Sequence, residues 1–385
     1  MRYKIDEIVQ LIMDYRGKTP KKLGMNWTES QKDIIALSAK NIKDNKIVNT
    51  DKSHYGSELL YKHWMKDGDI EPGDILMTSE APLGEVYLVS KPIKAILSQR
   101  LFLLRFNKKI VNPWYMYAFM NSQSFKNQLL LRATGTTVVG IKQKDLKKIE
   151  VELPNIELQN KIGSIFQFLD KKIHINGRIN DNLLELVDTL FDNIIKCSIL
   201  YKATLNDIGT IVGGGTPSKK VNVYWNGKIP WLTPKDLSKS HSIFTSKGTR
   251  FITEYGLKES SARLFPTGTV LFSSRAPIGY ISIAKNNIST SQGFKSIIPN
   301  KGYSPEFIYE LLKKETPLII REANGSTFKE ISGTRLKAHI VNIPSKAKAK
   351  YFDNSALTIF KLISKNENEN KILKNLKKGL LNKIF

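Results

Sequence analysis

The sequence predicts two similar globular domains of mixed α and β structure, separated by two long helices that form an antiparallel coiled coil, with a pseudo-two-fold internal repeat. Three observations predict this fold. The 385 residues exceed the usual size of one domain. The same motifs occur twice in the same order, and each copy ends in a stretch whose apolar residues recur every three or four positions. The predicted segments are a first domain at 1–155, a central helix at 156–200, a second domain at 201–343 and a C-terminal helix at 344–385.

The duplication predicts that both globular domains share one topology. Four pairs of matched motifs keep their order along the chain. With the first copy before the second, they are GKTP at 17–20 and GGTP at 214–217, IIALSAKNI at 34–42 and IPWLTPKDL at 229–237, GDILMTSEAPLG at 73–84 and GTVLFSSRAPIG at 268–279, and SQ at 98–99 and 291–292. The third pair shares Gly, Leu, Ser, Ala-Pro and Gly at the same spacing, for which chance is a poor explanation.

Each copy begins as a strand-and-turn region and also has a helix inside it. Residues 86–89 and 279–283 are short runs rich in β-branched and aromatic residues, bounded by turn-forming residues. Asn112 and Ser304 each precede a proline, which places a capping side chain just before the first helical position. Apolar stretches follow both prolines, so we predict a helix from each of these points.

Two long helices are predicted from apolar periodicity after each domain. The residues chosen for the coiled-coil spacer follow one another mostly at intervals of three or four. They are Ile162, Ile165, Leu169, Ile173, Leu183 and Leu190 in the first helix, and Phe352, Ile359, Ile363, Leu373 and Leu380 in the second. The two helices align without gaps, and about 40 residues at 1.5 Å each give a rod of roughly 60 Å. We therefore predict that they act as a spacer of fixed length.

Two features of these helices leave alternatives open. Asn176 and Asn366 interrupt the apolar seam, where a buried Asn fixes the register and an exposed Asn is only a solvated break. Other apolar residues lie off the seam and either contact a partner or widen the core. These residues are Phe166, Phe168, Leu186, Phe191, Phe360 and Leu362.

The composition indicates nucleic acid as the first partner. Sixty Lys and Arg against 35 Asp and Glu give a formal net charge of +25, and so large a surplus favours a polyanionic partner. A lysine-rich proteome, in which all proteins are basic, is the alternative explanation. Hydrophobic residues make up 41% of the chain, which is enough to form cores and argues against a disordered chain.

The sequence predicts a cytoplasmic protein without a metal site, a disulfide or a membrane partner. Cys197 is the only cysteine, which excludes an internal disulfide and suits a reducing compartment. The histidines lack metal-ligand spacing. Neither a signal-peptide core nor an apolar run of about 20 residues is visible.

Two unlike domains at a fixed separation predict a mode of DNA recognition. Antiparallel pairing of the two helices would relate the two domains by an approximate two-fold axis. Duplex DNA has an axis of the same kind, and proteins with two readers place them about one helical turn apart on it. Because the two domains differ at most positions, the predicted target is a site in double-stranded DNA with two unlike halves and an uncontacted gap.

The motifs of the second copy and of the central helix together resemble those of the specificity (S) subunit of type I restriction-modification systems, over essentially the whole chain. The similar motifs are GGGTPS at 213–218, IPW at 229–231, SRAPIG at 274–279, SQGF at 291–294, GST at 325–327, LP at 153–154 and LDKK at 169–172. The first copy is more divergent, with Arg16 where the glycine run would begin and Glu80 where the second copy has Arg275.

This resemblance implies two target-recognition domains and a non-catalytic DNA reader. It also implies that the chain docks two methyltransferase (M) subunits and, with them, restriction and translocation (R) subunits. No cofactor is then expected on this chain, because S-adenosylmethionine, ATP and magnesium belong to the partner subunits.

The predicted DNA-binding residues lie in the loops between matched motifs. Lysines and backbone N–H groups, such as those of the glycine turn at 213–215, suit phosphates, whereas Arg, Asn and Gln suit base edges. In the first domain they are Arg16, Lys18, Lys21, Lys22, Lys40, Asn41, Gln99, Arg100, Thr134, Thr136 and Thr137. In the second domain they are Lys219, Lys220, Lys235, Ser274, Arg275, Gln292, Asn324, Ser326, Thr327 and Lys329. The alternative is that these side chains satisfy turns and internal hydrogen bonds.

Two alternative functions are an amino-methyltransferase and a stand-alone DNA-binding protein. Asn112-Pro113-Trp114-Tyr115 is near the signature of amino-methyltransferases, but the second copy has Ser304 in place of the amide, and no cofactor-binding glycine fingerprint is visible. We therefore predict no catalytic residues in this chain. A stand-alone architectural or regulatory DNA-binding protein without enzyme partners is the second alternative.

Overall fold

Strands and short helices alternate along each half of the chain, and each half is followed by one long helix. The computed structural model of the chain describes residues 1–240, 242–324 and 329–385. These residues form two units, Met1–Ile173 with Ile372–Phe385 and His174–Lys371. Each unit contains one globular half and a segment of each long helix.

The first half contains short strands, five short helices and three turns of 3₁₀ helix. Its strands are β1 (Arg2–Lys4), β2 (Val9–Asp14), β3 (Ile34–Leu37), β4 (Ile42–Lys43), β5 (Lys46–Ile47), β6 (His54–Gly56), β7 (Ile75–Thr78), β8 (Val86–Leu88), β9 (Ile96–Leu97), β10 (Leu101–Phe106) and β11 (Glu150–Glu152). Its helices are α1 (Ile5–Ile8), α2 (Glu58–Trp64), α3 (Pro113–Asn121), α4 (Gln123–Arg132) and α5 (Gln143–Leu146), and the 3₁₀ turns are Pro20–Leu23, Ala39–Asn41 and Thr50–Lys52. The long helix α6 (Ile156–Lys196) follows.

One sheet divides the apolar core of the first half into two layers. β2, β10, β7 and β8 form an antiparallel sheet in that order, and β6, β3 and β9 form a mixed sheet. Alternate residues of a strand point to opposite faces. Phe102 and Leu104 of β10 therefore enter a cluster with α3, whereas Leu101 and Leu103 enter a cluster with α2. β1 pairs with β11, and β4 pairs with β5.

The second half repeats this series of elements. Its strands are β12 (Leu200–Thr204), β13 (Thr210–Gly213), β14 (Trp225–Leu232), β15 (Phe244–Thr245), β16 (Arg250–Ile252), β17 (Leu264–Phe265), β18 (Val270–Ser274), β19 (Ile278–Ala284), β20 (Ile288–Thr290), β21 (Lys295–Ile298) and β22 (Ile340–Pro344). Its helices are α7 (Leu205–Ile208), α8 (Pro234–Ser240), α9 (Glu254–Lys258), α10 (Pro305–Glu322) and α11 (Gly333–Ala338), with a 3₁₀ turn at Asn222–Tyr224. The long helix α12 (Lys346–Ile384) follows.

The sheets of the second half have the same strand order as those of the first. β13, β21, β18 and β19 correspond to β2, β10, β7 and β8, with β15 added at the edge, and β16, β14 and β20 correspond to β6, β3 and β9, with β17 added. Val270 and Phe272 of β18 enter one apolar cluster and Leu271 enters another. The predicted architecture of two similar halves with mixed helices and strands is confirmed.

Both predicted helix starts are confirmed as capped starts. The Asn112 side chain accepts hydrogen bonds from the backbone N–H groups of Trp114 and Tyr115 at the start of α3. The Ser304 side chain accepts one from the N–H of Phe307 at the start of α10. These bonds satisfy donors that have no partner in the first turn of a helix.

In the first unit, the end of α12 packs antiparallel to the start of α6. Lys377 donates to Asp170 at 2.5 Å, and Leu381 shares a buried cluster with Phe166, so the contacts run in opposite directions along the two helices. The Phe385 ring then packs edge-on against Tyr115 at 5.2 Å. Phe166 faces inward here, and the predicted seam residue Ile165 is exposed.

In the second unit, the same two helices pair through asparagines. Asn176 is buried and donates to Glu369 at 2.7 Å and to Asn370 at 3.1 Å, while Asn366 donates to Asn180 at 2.8 Å. Of the two interpretations left open by the sequence, these contacts favour the register-fixing one. A supercoil with interlocking side chains stays a prediction.

The apolar residues that lie off the seam fall into a buried group and an exposed group. Phe166, Phe191 and Phe360 are buried within their own units and widen the core. Phe168, Leu186 and Leu362 are exposed. In the part of the chain that the structure describes, no helix is both long and apolar enough to cross a membrane.

Candidate nucleic-acid interface

An open pocket in the second unit brings four of the predicted DNA-binding residues together. The pocket has a volume of about 340 Å³. Lys219, Lys235, Arg275 and Gln292 line it, although they come from three loops and the first turn of α8. The remaining lining residues are Thr216, Trp231, Thr233, Pro234, Ala276, Ser291 and Gly293. Cationic, amide and hydroxyl groups thus surround a partly apolar floor.

The glycine turn at 213–215 precedes Thr216, which lines the pocket, and it is held by close backbone packing. Gly215 donates its N–H to the carbonyl oxygen of Thr290 at 2.9 Å, and Gly214 donates to that of Phe294 at 3.2 Å. A Cβ at Gly215 would overlap the carbonyl group of Ser261. The idea that these two N–H groups hold phosphates is therefore wrong, because both are already bonded within the protein. The glycines are needed for close approach.

A half-buried carboxylate holds the first turn of α8, which carries Lys235. Asp236 accepts hydrogen bonds from the N–H and hydroxyl of Thr233, at 2.8 and 2.6 Å, and from the N–H of Thr249 at 3.1 Å. Burial raises the pKa of Asp236, but these hydrogen bonds outweigh it and lower the pKa below its usual value. The Asp236 carboxylate therefore stays ionised, and its oxygens are used by Thr233 and Thr249. Lys235, the preceding residue, is exposed at the pocket.

The loop after β18 presents Arg275 while burying its neighbour. The Ser274 side chain is fully buried and donates to the Gly293 carbonyl oxygen at 3.2 Å, so it supports the loop from within. Arg275 is half-exposed and its Nη1 donates to Glu330 Oε2 at 3.3 Å. Gln292 is exposed and its side-chain oxygen accepts from the Thr216 hydroxyl.

Three lysines of the second unit are available for an anion. Lys219, Lys220 and Lys235 are exposed. Within the described ranges none of their ammonium groups takes part in an ion pair or a hydrogen bond. Lys329 and Asn324 are also exposed, whereas Ser326 and Thr327 lie outside the described residues.

The corresponding loops of the first unit also converge. Gln99 donates to the backbone oxygen of Lys18 at 3.2 Å, and the backbone N–H of Ala39, next to Lys40, donates to the carbonyl oxygen of Gln99 at 3.2 Å. Arg100, the next residue, forms an ion pair with Glu80 at 2.7 Å. The matched motifs thus bring the segments of Lys18, Lys40 and Gln99 together in the first unit as well.

Several predicted residues of the first unit are bound internally. Arg16 pairs with Asp14 at 2.6 Å and stacks on the Phe102 ring. Lys18 donates to the Trp64 carbonyl oxygen at 2.8 Å, and burial lowers its pKa. Asn41 is fully buried; its amide oxygen accepts from the Ser38 N–H at 3.0 Å and its NH₂ group donates to the Val48 carbonyl oxygen at 2.9 Å.

The remaining predicted residues of this unit are at the surface. Lys22 donates to the carbonyl oxygen of Gly17 at 2.7 Å and Lys40 donates to that of Lys52. Lys21, Thr134, Thr136 and Thr137 are exposed. The assignment of individual DNA contacts in both units stays a prediction.

The sequence did not single out every residue at this site. Thr216, Trp231 and Ser291 line the pocket but were not among the predicted residues. Their position inside repeated motifs is the sequence signal by which they could have been found. Glu330 and Lys295 lie beside Arg275 without such a signal, because the first copy has no similar residue at either place.

The methyltransferase-like tetrapeptide is part of a helix cap. Asn112 uses its amide oxygen to cap α3, and its NH₂ group donates to Asn160 of α6 at 2.8 Å. A Cβ at Gly163 of α6 would clash with this amide. Both ends of the amide are thus bonded, to the start of α3 and to α6, which argues against its holding a substrate amine. Among the described residues, no group of His, Cys, Asp or Glu is arranged to bind a metal ion.

Comparison with known proteins gives consistent matches. Residues 1–185 and 201–378 match the family described as the type I restriction modification DNA specificity domain. The chain is 42% identical over 190 residues to the type I restriction enzyme MjaIX specificity subunit of Methanocaldococcus jannaschii, a match that covers 47% of this chain and only 42% of that protein. It is 22% identical over 399 residues to the type I restriction enzyme HindI specificity subunit of Haemophilus influenzae, covering 82% of this chain and 86% of that protein.

The fold also matches a solved structure. The crystal structure of a type I restriction-modification system S subunit from M. genitalium aligns with a TM-score of 0.62 and 16% identity, over 100% of this chain and 96% of that chain. At this identity the match shows a shared fold.

Proposed function

Because the chain belongs to the type I restriction modification DNA specificity family, we propose that it is the non-catalytic DNA-reading subunit of a type I restriction-modification complex. Each globular half reads one half of a bipartite, asymmetric site in double-stranded DNA. The long helices set the spacing between the halves and dock two methyltransferase subunits, which restriction and translocation subunits join in the cytoplasm. S-adenosylmethionine, ATP and magnesium act on those partners.

One observation carries this proposal: loops that are far apart in sequence meet at one pocket, and they bring the residue types that DNA requires. Lys219 and Lys235 supply charge for phosphates, and Arg275 and Gln292 supply the paired donors and acceptors that distinguish base edges. The same loops converge in the first unit with different side chains. Two halves with the same backbone topology and different side chains can recognise two unlike half-sites.

The long helices support the spacing role. α6 has 41 residues and α12 has 39, so each is about 60 Å long. In each unit their segments run antiparallel and are bonded to each other, which resists a change of register. A rigid element of fixed length converts the separation of two readers into a fixed gap in the DNA site.

The decisive experiment is to co-express the chain with candidate methyltransferase subunits and map methylated adenines in the host DNA. The proposal expects a stable complex with two methyltransferase subunits, and one bipartite motif with a gap. A footprint with a contiguous protected core and no central gap would contradict the bipartite mode.

The same experiment separates the alternatives. A stand-alone DNA-binding protein would bind a specific site alone and form no complex with methyltransferase subunits. A methyltransferase would transfer methyl groups as the isolated chain, which the helix-capping role of Asn112 argues against.

A further inference from the structure

An arginine and a glutamate form an ion pair at the pocket of the second unit. Arg275 lines the pocket, and its Nη1 is 3.3 Å from Glu330 Oε2. Lys295 is near both charges: burial lowers the pKa of Lys295, and the charges of Glu330 and Arg275 act on that pKa in opposite directions. The Lys295 ammonium donates to the backbone oxygen of Gln292, another residue of the pocket. Glu330 is therefore an acidic group within a cationic site.

The first unit has an ion pair of the same kind, built from other positions. Glu80 stands at the motif position of Arg275, and it pairs with Arg100 at 2.7 Å. A backbone bridge joins Glu80 to Gly140, just as one joins Arg275 to Glu330. Gly140 therefore corresponds to Glu330, and the first unit has its arginine on a different loop. The pair is present in both units although neither the arginine nor the glutamate position is shared.

The fold does not need either pair for stability. The side chains are partly exposed, at 39% and 42% for Arg275 and Glu330 and at 51% and 31% for Arg100 and Glu80. Ion pairs of such exposure contribute little to folding. Backbone bonds already join the paired segments: a bridge joins Arg275 to Glu330 in the second unit, and the Ser79 N–H donates to the Arg100 carbonyl oxygen at 3.0 Å in the first.

A carboxylate at a DNA-binding surface is also unfavourable for phosphate contact, because the two anions repel each other. Its benefit lies in what it does to the arginine. A guanidinium has five N–H donors, and the bond to Glu330 uses one of them. Its other donors have no partner among the residues that the structure describes, and they can serve the two acceptors of guanine, which Arg binds in a bidentate manner. A held guanidinium also loses less side-chain freedom on binding.

We propose that Glu330 and Glu80 are positioning residues for sequence reading, which hold Arg275 and Arg100 for a guanine edge and away from phosphates. This inference rests on the proposed function and adds to it a division of labour: the lysines provide affinity, and the arginine–glutamate pairs provide selectivity.

The test uses the full complex with its methyltransferase subunits and the motif obtained by methylation mapping. A panel of duplexes carries single base-pair changes at every specified position, and their affinities are measured at one salt concentration. Three complexes are compared: the wild type, E330Q, and E259Q as a matched control. Glu259 is an exposed carboxylate of the same unit, so E259Q removes the same charge without touching Arg275.

The inference expects E330Q to lose discrimination at one G·C pair by at least about fivefold, with equal or higher affinity for unrelated DNA. E330D, which keeps the carboxylate, should recover part of this discrimination, and E259Q should keep the wild-type ranking. E80Q should have the corresponding effect in the other half of the motif.

Two failures can be told apart. If the wild-type complex binds all duplexes equally, the proposed function fails. If the wild type discriminates but E330Q and E80Q retain its full ranking, or if E259Q changes the ranking as much as E330Q does, the positioning role is refuted.

Discussion

Replacing Lys377 by Met should detach the end of α12 from the first unit. The Lys377 ammonium is 2.5 Å from Asp170 and 3.0 Å from the Tyr117 hydroxyl, and the Lys377 and Asp170 side chains are only 16% and 11% exposed. Removing one partner of a buried ion pair costs about 3–5 kcal/mol, because the other charge is left buried. Asp170 retains a hydrogen bond from Asn45 at 3.1 Å, so we expect the lower end, about 3 kcal/mol.

Calorimetry of the intact chain measures this loss. For a unit of this size, about 3 kcal/mol lowers the midpoint of the corresponding transition by roughly 6–12 °C. Hydrogen exchange locates the change, because the amides at 372–385 should lose protection first. K378M, on the same helix but exposed, is the matched control.

A second variant separates a lost charge from a lost contact. D170N in the K377M background removes the orphaned carboxylate and should recover most of the stability. If K377M melts no lower than K378M, or if D170N adds to the loss, the helix end is not held by this pair and the reasoning fails.

Three further predictions concern burial and DNA contact. Burial, followed by the nearby Asp188, raises the pKa of Glu310 to about 8. The stability that this group contributes is complete below its unfolded-state pKa and is lost as pH rises through 8. Between pH 5 and 8 the free energy of unfolding of E310Q should therefore increase relative to that of the wild type by roughly 1.4 kcal/mol per pH unit. Melting curves at several pH values measure it, and parallel curves would contradict it. K219Q/K220Q should weaken the complex's binding to all duplexes and reduce the slope of log K against log salt by about 1.8; an unchanged slope would remove both lysines from the phosphate contacts. R275A should relax one base position by about 1–3 kcal/mol in the duplex panel, and an unchanged motif would end its reading role.

Features encoded by local chemistry were predictable from the sequence. Asn112 and Ser304 cap helices because a cap needs only a short polar side chain and the next few residues. The long helices followed from periodicity alone, and their lengths agree with the prediction. Periodicity was less reliable at single positions, since Ile165 is exposed and Phe166 takes the inward place.

The site was only partly predictable. Repeated motifs indicated which loops meet, and Lys219, Lys235, Arg275 and Gln292 do line one pocket. Motifs do not indicate where a side chain points. Ser274 belongs to one of the repeated motifs, next to Arg275, but it is buried and bonded to the backbone, as is Asn41 in the other half.

The sequence by itself determined the duplication, the order of the elements, the helix starts and the excess of positive charge, because each depends on residues that are close in the chain or on composition. Only the tertiary structure decided which charges are free. Asp14 neutralises Arg16 and Glu330 binds Arg275, whereas Lys235 is left exposed. The second of these ion pairs joins residues more than 50 positions apart, which only the fold brings together. The first joins near neighbours, but the fold fixes its partner and stacks Arg16 on the Phe102 ring.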